Sequence, residues 1–114
     1  MCMATAFASE ATHIAEMGHL TVPDISRATG AHETTVRAWL RGARSPSGDH
    51  AERLVELSAI VERLARVIEG AYIPVWMRKP SALLDDDKPL DVIADGDYRR
   101  VSRVVAGLES PGAV

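Results

Sequence analysis

The sequence predicts an all-α protein, and three observations carry that reading. No stretch alternates polar and apolar residues with a period of two. Valine and isoleucine fall mostly at spacings of three and four. Gly, Pro, Ser and Asp stand where helices start and stop rather than at hairpin turns.

The first helix is expected over residues 4–17, with Phe7, Ile14 and Met17 facing inward. Residues 21–44, TVPDISRATGAHETTVRAWLRGAR, follow as a helix-turn-helix over Thr21–Gly42. Thr21 suits an N-cap, Pro23 the first turn, and Asp24 completes a T-x-x-D box. Thr29-Gly30-Ala31 forms the turn, and Gly30 sits where positive φ is needed. Ile25, Val36 and Trp39 are spaced to share a small core, with Ser26 where the helices cross. Thr34, Arg37, Ala38 and Arg41 lie on another face at i, i+3, i+4 and i+7. Small, hydroxyl and guanidinium side chains on one face suit base edges and phosphates. Arg44 and Ser45 follow Gly42 in a loop within reach of phosphate. The candidate DNA-contacting residues are Thr34, Thr35, Arg37, Ala38, Arg41 and Arg44. A plain helical corner in an all-α protein would give the same pattern.

The loop Ala43–Gly48, with Ser45-Pro46-Ser47-Gly48, is the clearest linker. It divides a lobe over residues 1–48 from a second over 49–114. Asp49 and Glu52 read as a capping box opening a long helix to Glu69, stopped by Gly70. Leu54, Leu57, Ile60, Val61, Leu64, Val67 and Ile68 form a wide stripe along it, expected to serve both the core and a homodimer contact. Ile60 and Leu64 are read as outward residues. Proline punctuates the rest: Tyr72–Lys79 with Trp76, a turn at Ser81–Leu84, the acid run Asp85-Asp86-Asp87, and a helix Pro89–Ala94 capped by Gly96. Asp97 caps a last helix to about Leu108, with Tyr98, Val101, Val104 and Val105 on its apolar side. The end, Glu109–Val114, is flexible by composition.

At 114 residues the chain is one compact unit or two very small lobes, and 46% hydrophobic residues suffice for a core. The net charge is −3 and the pI about 5.8, whereas a dedicated DNA-binding domain is usually basic. Residues 27–44 differ locally: Arg27, Arg37, Arg41 and Arg44 against Glu33 leave +3. A dimer with two such modules would sum its phosphate contacts on an inverted repeat. The single cysteine, Cys2, excludes an internal disulfide and fits a reducing cytoplasm. The first basic residue is Arg27, which argues against a signal peptide, and no apolar run reaches membrane-span length.

Catalytic chemistry is not expected. His13, His19, His32 and His50 have no partners at metal-ligand spacing. Three adjacent aspartates cannot all point at one cation. P-loop, nucleophile-elbow and dinucleotide motifs are absent, and no cofactor is implied.

The second half carries a resemblance. Val75-Trp76-Met77, Pro80, Leu83-Leu84, Lys88-Pro89, Asp91-Val92, Asp95-Gly96, Tyr98 and Val101, in this order after the helix-turn-helix, resemble the Xre/MbcA/ParS antitoxin family. The likeness implies the antitoxin half of a type II toxin–antitoxin pair. The implied partner is a RES-domain toxin that consumes NAD, inhibited when the antitoxin's C-terminal lobe and chain end cover its active-site mouth. It also implies repression of the operon through operator DNA. Trp76, Pro80, Leu83, Leu84, Lys88, Pro89 and Gly96 fall on the family pattern, most of them as fold-makers. The implied toxin-binding residues are Lys79, Leu83, Lys88, Ser110, Pro111, Gly112, Ala113 and Val114. The last residues depart from the family, because Pro111 forbids a regular helix there. Two rival readings stay open: a plain transcriptional regulator, and a protein-only inhibitor without DNA contact.

Overall fold

The computed structural model describes residues 3–110, with side chains from Glu10 onward. The described residues form seven α-helices and two 3₁₀ turns, with no strand beyond one isolated bridge between Ser81 and Asp87. The helices are α1 (Met3–Met17), α2 (Val22–Thr29), α3 (Glu33–Leu40), α4 (Gly48–Leu64), α5 (Ile73–Arg78), α6 (Pro89–Ala94) and α7 (Tyr98–Glu109). The 3₁₀ turns are Gly70–Tyr72, leading into α5, and Ala82–Leu84. Among the described residues, no helix is long and apolar enough to cross a membrane.

Helix α4 is the central element. It packs against α1, α2, α6 and α7. Leu54, Leu57, Ile60, Val61 and Leu64 are all 0% exposed. The expected outward positions of Ile60 and Leu64 are therefore corrected: with four neighbouring helices packed on α4, its stripe from Leu54 to Leu64 is spent on the core. The ends of α4 are corrected too. Ser47, not Asp49, stands at the N-cap, and the helix closes at Leu64 rather than at Gly70. After Leu64 the chain turns, with the Ile68 N–H donating to the Leu64 carbonyl at 2.9 Å. Ile68 then packs on the core while Val67 stays exposed.

Gly18 permits the close seating of α1 on α4. A β-carbon there would stand 3.0 Å from a methyl of Val61 and 3.0 Å from the Ile14 carbonyl oxygen. The turn between α2 and α3 is set by Gly30, whose φ of +80° lies in the left-handed region. Its N–H donates to the Ser26 carbonyl at 2.9 Å, closing α2. The Ser26 hydroxyl reaches the Ala31 carbonyl at 2.5 Å. Ile25, Val36 and Trp39 are buried together as the spacing predicts. Residues on both sides of Gly48 share this one core, from Ile25 and Trp39 to Val92, Val101 and Val105. Phe7 and Cys2 are not among the residues whose side chains are described.

Two ion pairs pin α2 to the second half of the chain. Arg27 holds Asp91 of α6 through Nε and Nη2. Arg78 of α5 donates to Asp24 through Nε at 2.7 Å and Nη2 at 2.5 Å. Asp24 also completes the capping box of α2, accepting from the N–H and hydroxyl of the N-cap Thr21 at 2.9 Å each. Burial alone would raise this carboxyl, but the Arg78 and Thr21 hydrogen bonds outweigh it and hold it below its ordinary value of 3.8. A depressed folded-state pKa stabilises the fold above the unfolded value. That stability disappears as pH falls from about 4 through the folded-state value. Asp24→Asn should therefore lower the melting temperature at neutral pH and flatten its decline in acid. Parallel thermal melts from pH 7 to pH 2 would check this, and an unchanged acid limb would refute the assignment to Asp24.

Candidate functional site

Helix α3 presents Thr34 and Arg37 to solvent, with Thr35 half-buried beside them and Arg41 exposed at the C-cap. Ala38 is corrected: it is 6% exposed and does not join that face. The loop after α3 folds back over it, with the N–H groups of Ala43 and Arg44 both donating to the Ala38 carbonyl. That fold-back places the exposed Arg44 beyond the C-terminal end of α3. Gly42, at φ +73°, allows the reversal.

The local positive charge is smaller than the residue count suggests. Arg27 is committed to Asp91, and Arg37 lies 3.2 Å from Glu33, four residues earlier on the same helix. Among the described residues Arg41 and Arg44 make no ion pair, so they are the freest cations of this face. An exposed pair such as Arg37–Glu33 holds weakly, so Arg37 stays able to exchange its partner.

The second half does not gather the expected partner-binding residues into one patch. Leu83 is 76% exposed and lines a hollow of about 310 Å³ with Arg100, Arg103 and Val104 of α7. Lys79 lines a separate hollow with Trp76, Pro80 and Ser81. Lys88 sits in a third, beside Pro23, Asp24, Arg27, Arg78 and Leu90. Ser110 is exposed at the end of α7. Pro111, Gly112, Ala113 and Val114 lie outside the described residues.

The Leu83 hollow contains two arginines that the sequence reading did not single out. Arg100 reaches Asp85 at 3.2 Å and Asp97 at 3.7 Å. Arg103 is exposed and has no ion pair among the described residues. The signal was present as Arg100, Arg103 and Val104 at helical spacing, but Leu83 joins them only through the fold. The α7 end that borders this surface is fastened by Arg63 of α4. Its guanidinium donates to Glu109 at 3.1 Å and to the Ser102 hydroxyl at 2.6 Å. The Arg63 hydrogen bonds hold the Glu109 carboxyl below the usual carboxylate range.

No cluster of three His, Cys, Asp or Glu side chains suited to a metal occurs among the described residues. Asp85 and Asp86 have left-handed backbone, φ +55° and +65°, and form a tight acidic turn. The arrangement as a whole is an exposed cationic helix face and a cationic groove with an apolar floor, both suited to contact with other macromolecules.

No family model matches the chain. The mycobacterial cidal antitoxin MbcA of Mycobacterium tuberculosis (strain ATCC 25618 / H37Rv) is 32% identical over 89 residues, spanning 78% of this chain and 79% of that protein. The MbcA of Mycobacterium bovis matches to the same extent. A chain in the crystal structure of the M. tuberculosis MbcT–MbcA toxin–antitoxin complex superposes with a TM-score of 0.82 at 30% identity, covering 94% of this chain and 96% of that one. Likeness in sequence and fold across most of both chains leads to one conclusion: the chain belongs to the MbcA antitoxin family.

Proposed function

We propose that this chain is the antitoxin of a type II pair, acting in the cytoplasm without catalysis of its own. Its partner is a RES-domain toxin that consumes NAD. The observation that carries this reading is the near end-to-end match to a chain of the MbcT–MbcA toxin–antitoxin complex. The toxin-facing surface centres on Leu83 and the groove it forms with Arg100, Arg103 and Val104. An exposed leucine flanked by arginines offers an apolar anchor with charge-assisted hydrogen bonds around it. Lys79 and Lys88 line other hollows and play a smaller part.

The α2–α3 pair is the DNA reader in this proposal, and the antitoxin represses its own operon. Support comes from the left-handed Gly30 turn, the shared core of Ile25, Val36 and Trp39, and the exposed Thr34, Arg37 and Arg41 with Arg44 beyond. Arg27 of this unit pairs with Asp91 of α6.

Capture of a purified RES-domain toxin tests the partner surface. Leu83→Glu with Arg103→Glu should weaken capture at least tenfold while leaving the circular-dichroism melt unchanged, because both side chains are exposed. Undiminished capture by the double variant would move the toxin face elsewhere.

A further inference from the structure

The cationic face of α3 contains one acid. Glu33 stands in the first turn of the helix. It is the only Asp or Glu between Asp24 and Asp49, a stretch that holds Arg27, Arg37, Arg41 and Arg44. Its carboxylate accepts from Arg37 Nη2 at 3.2 Å, and the two side chains are 47% and 52% exposed. For the helix alone the acid is well placed, since it meets the positive end of the dipole. Against DNA it is a liability, because every phosphate repels it. Base edges differ from phosphates. In the major groove the N4 amine of cytosine donates to a carboxylate, and O6 and N7 of guanine accept from an arginine. A step containing cytosine and guanine therefore offers each member of the Glu33–Arg37 pair a partner of its own.

We propose that Glu33 is a specificity-determining residue of the DNA reader, accepting from the N4 amine of one operator cytosine and so freeing Arg37 for a guanine in the same base step. The inference rests on the reading of α3 as the DNA-contacting helix, and it names a base that this helix selects. On unrelated DNA the two side chains stay paired. Arg37 is then withheld from the phosphates, and the carboxylate keeps its repulsion. At the selected step the pair opens and both side chains find base-edge partners. Opening costs little, because an exposed ion pair holds weakly. Discrimination thus comes from rejecting wrong sequences as well as from gripping the right one. The exposed Arg41 and Arg44 are left for contacts that carry no sequence information.

Selection from a random-sequence duplex library with the purified chain tests this directly. The wild type should enrich a site in which one position prefers cytosine about tenfold over other bases. Glu33→Gln, at an exposed site, keeps the size of the side chain but presents an amide, which suits N6 and N7 of adenine. The preference at that one position should move from cytosine to adenine, with the other positions unchanged. Glu33→Ala should lose the preference there and bind random-sequence duplex about threefold more tightly at about 50 mM salt, because a like charge has gone. An acid that serves only the helix dipole would leave the selected bases as they are. A wild type that enriches a site which Glu33→Gln enriches identically overturns the role of Glu33 and leaves α3 as the reader. A wild type that enriches no sequence overturns both.

Discussion

Ile60→Asp should yield no folded protein, rather than a folded monomer. Ile60 is 0% exposed on α4, the helix that packs against α1, α2, α6 and α7. An unpaired carboxylate in such a site costs several kcal/mol or more, against a total stability of roughly 5–15 kcal/mol for a domain. Ile60→Ala, which only opens a cavity, should cost about 2–5 kcal/mol and leave the fold in place. Circular dichroism with thermal melting distinguishes the two. A soluble, helical Ile60→Asp variant with a cooperative melt would show that α4 is not the centre of the core.

The second large effect concerns DNA. Replacing Arg37 and Arg41 by Ala should weaken operator binding by roughly 2–6 kcal/mol, if each side chain makes one good base or phosphate contact. Most of the loss should come from Arg41, because Arg37 first has to leave Glu33. Toxin binding should persist, since Arg37 lies on α3 and Arg41 at its C-cap, and neither lines the Leu83 groove. A gel-shift titration at fixed salt decides it. Equal affinities for the wild type and the double variant would remove α3 as the reading helix and favour a protein-only inhibitor.

Local chemistry made much of this fold legible. Gly30 marked the α2–α3 turn because no other residue adopts that backbone freely, and its φ of +80° bears this out. Pro89 opened and Gly96 followed a helix whose limits, Pro89–Ala94, are those the sequence indicates. Asp24 was recognisable as part of a cap, because its partner Thr21 is three residues away. Its second partner, Arg78, is 54 residues away, and nothing local announces it. The same limit explains the α4 stripe. A wide apolar face is identical in sequence whether a neighbouring helix of the same chain or a second chain covers it, and here four helices of the same chain do. Ala38 fell on the α3 face by periodicity, but the backbone reversal after Leu40 covers it. The surface centred on Leu83 was half visible. Leu83 stood out on the family pattern, while Arg100, Arg103 and Val104 reach it only through the packing of α7.

The central claim is that this chain silences an NAD-consuming RES-domain toxin. The direct measurement is NAD consumption by a purified RES-domain toxin, titrated with this protein. The account predicts that turnover falls in proportion to added antitoxin and reaches background near stoichiometric amounts. It also predicts that Leu83→Glu with Arg103→Glu restores turnover at the same concentrations. Undiminished NAD consumption in the presence of excess folded wild-type protein would contradict it.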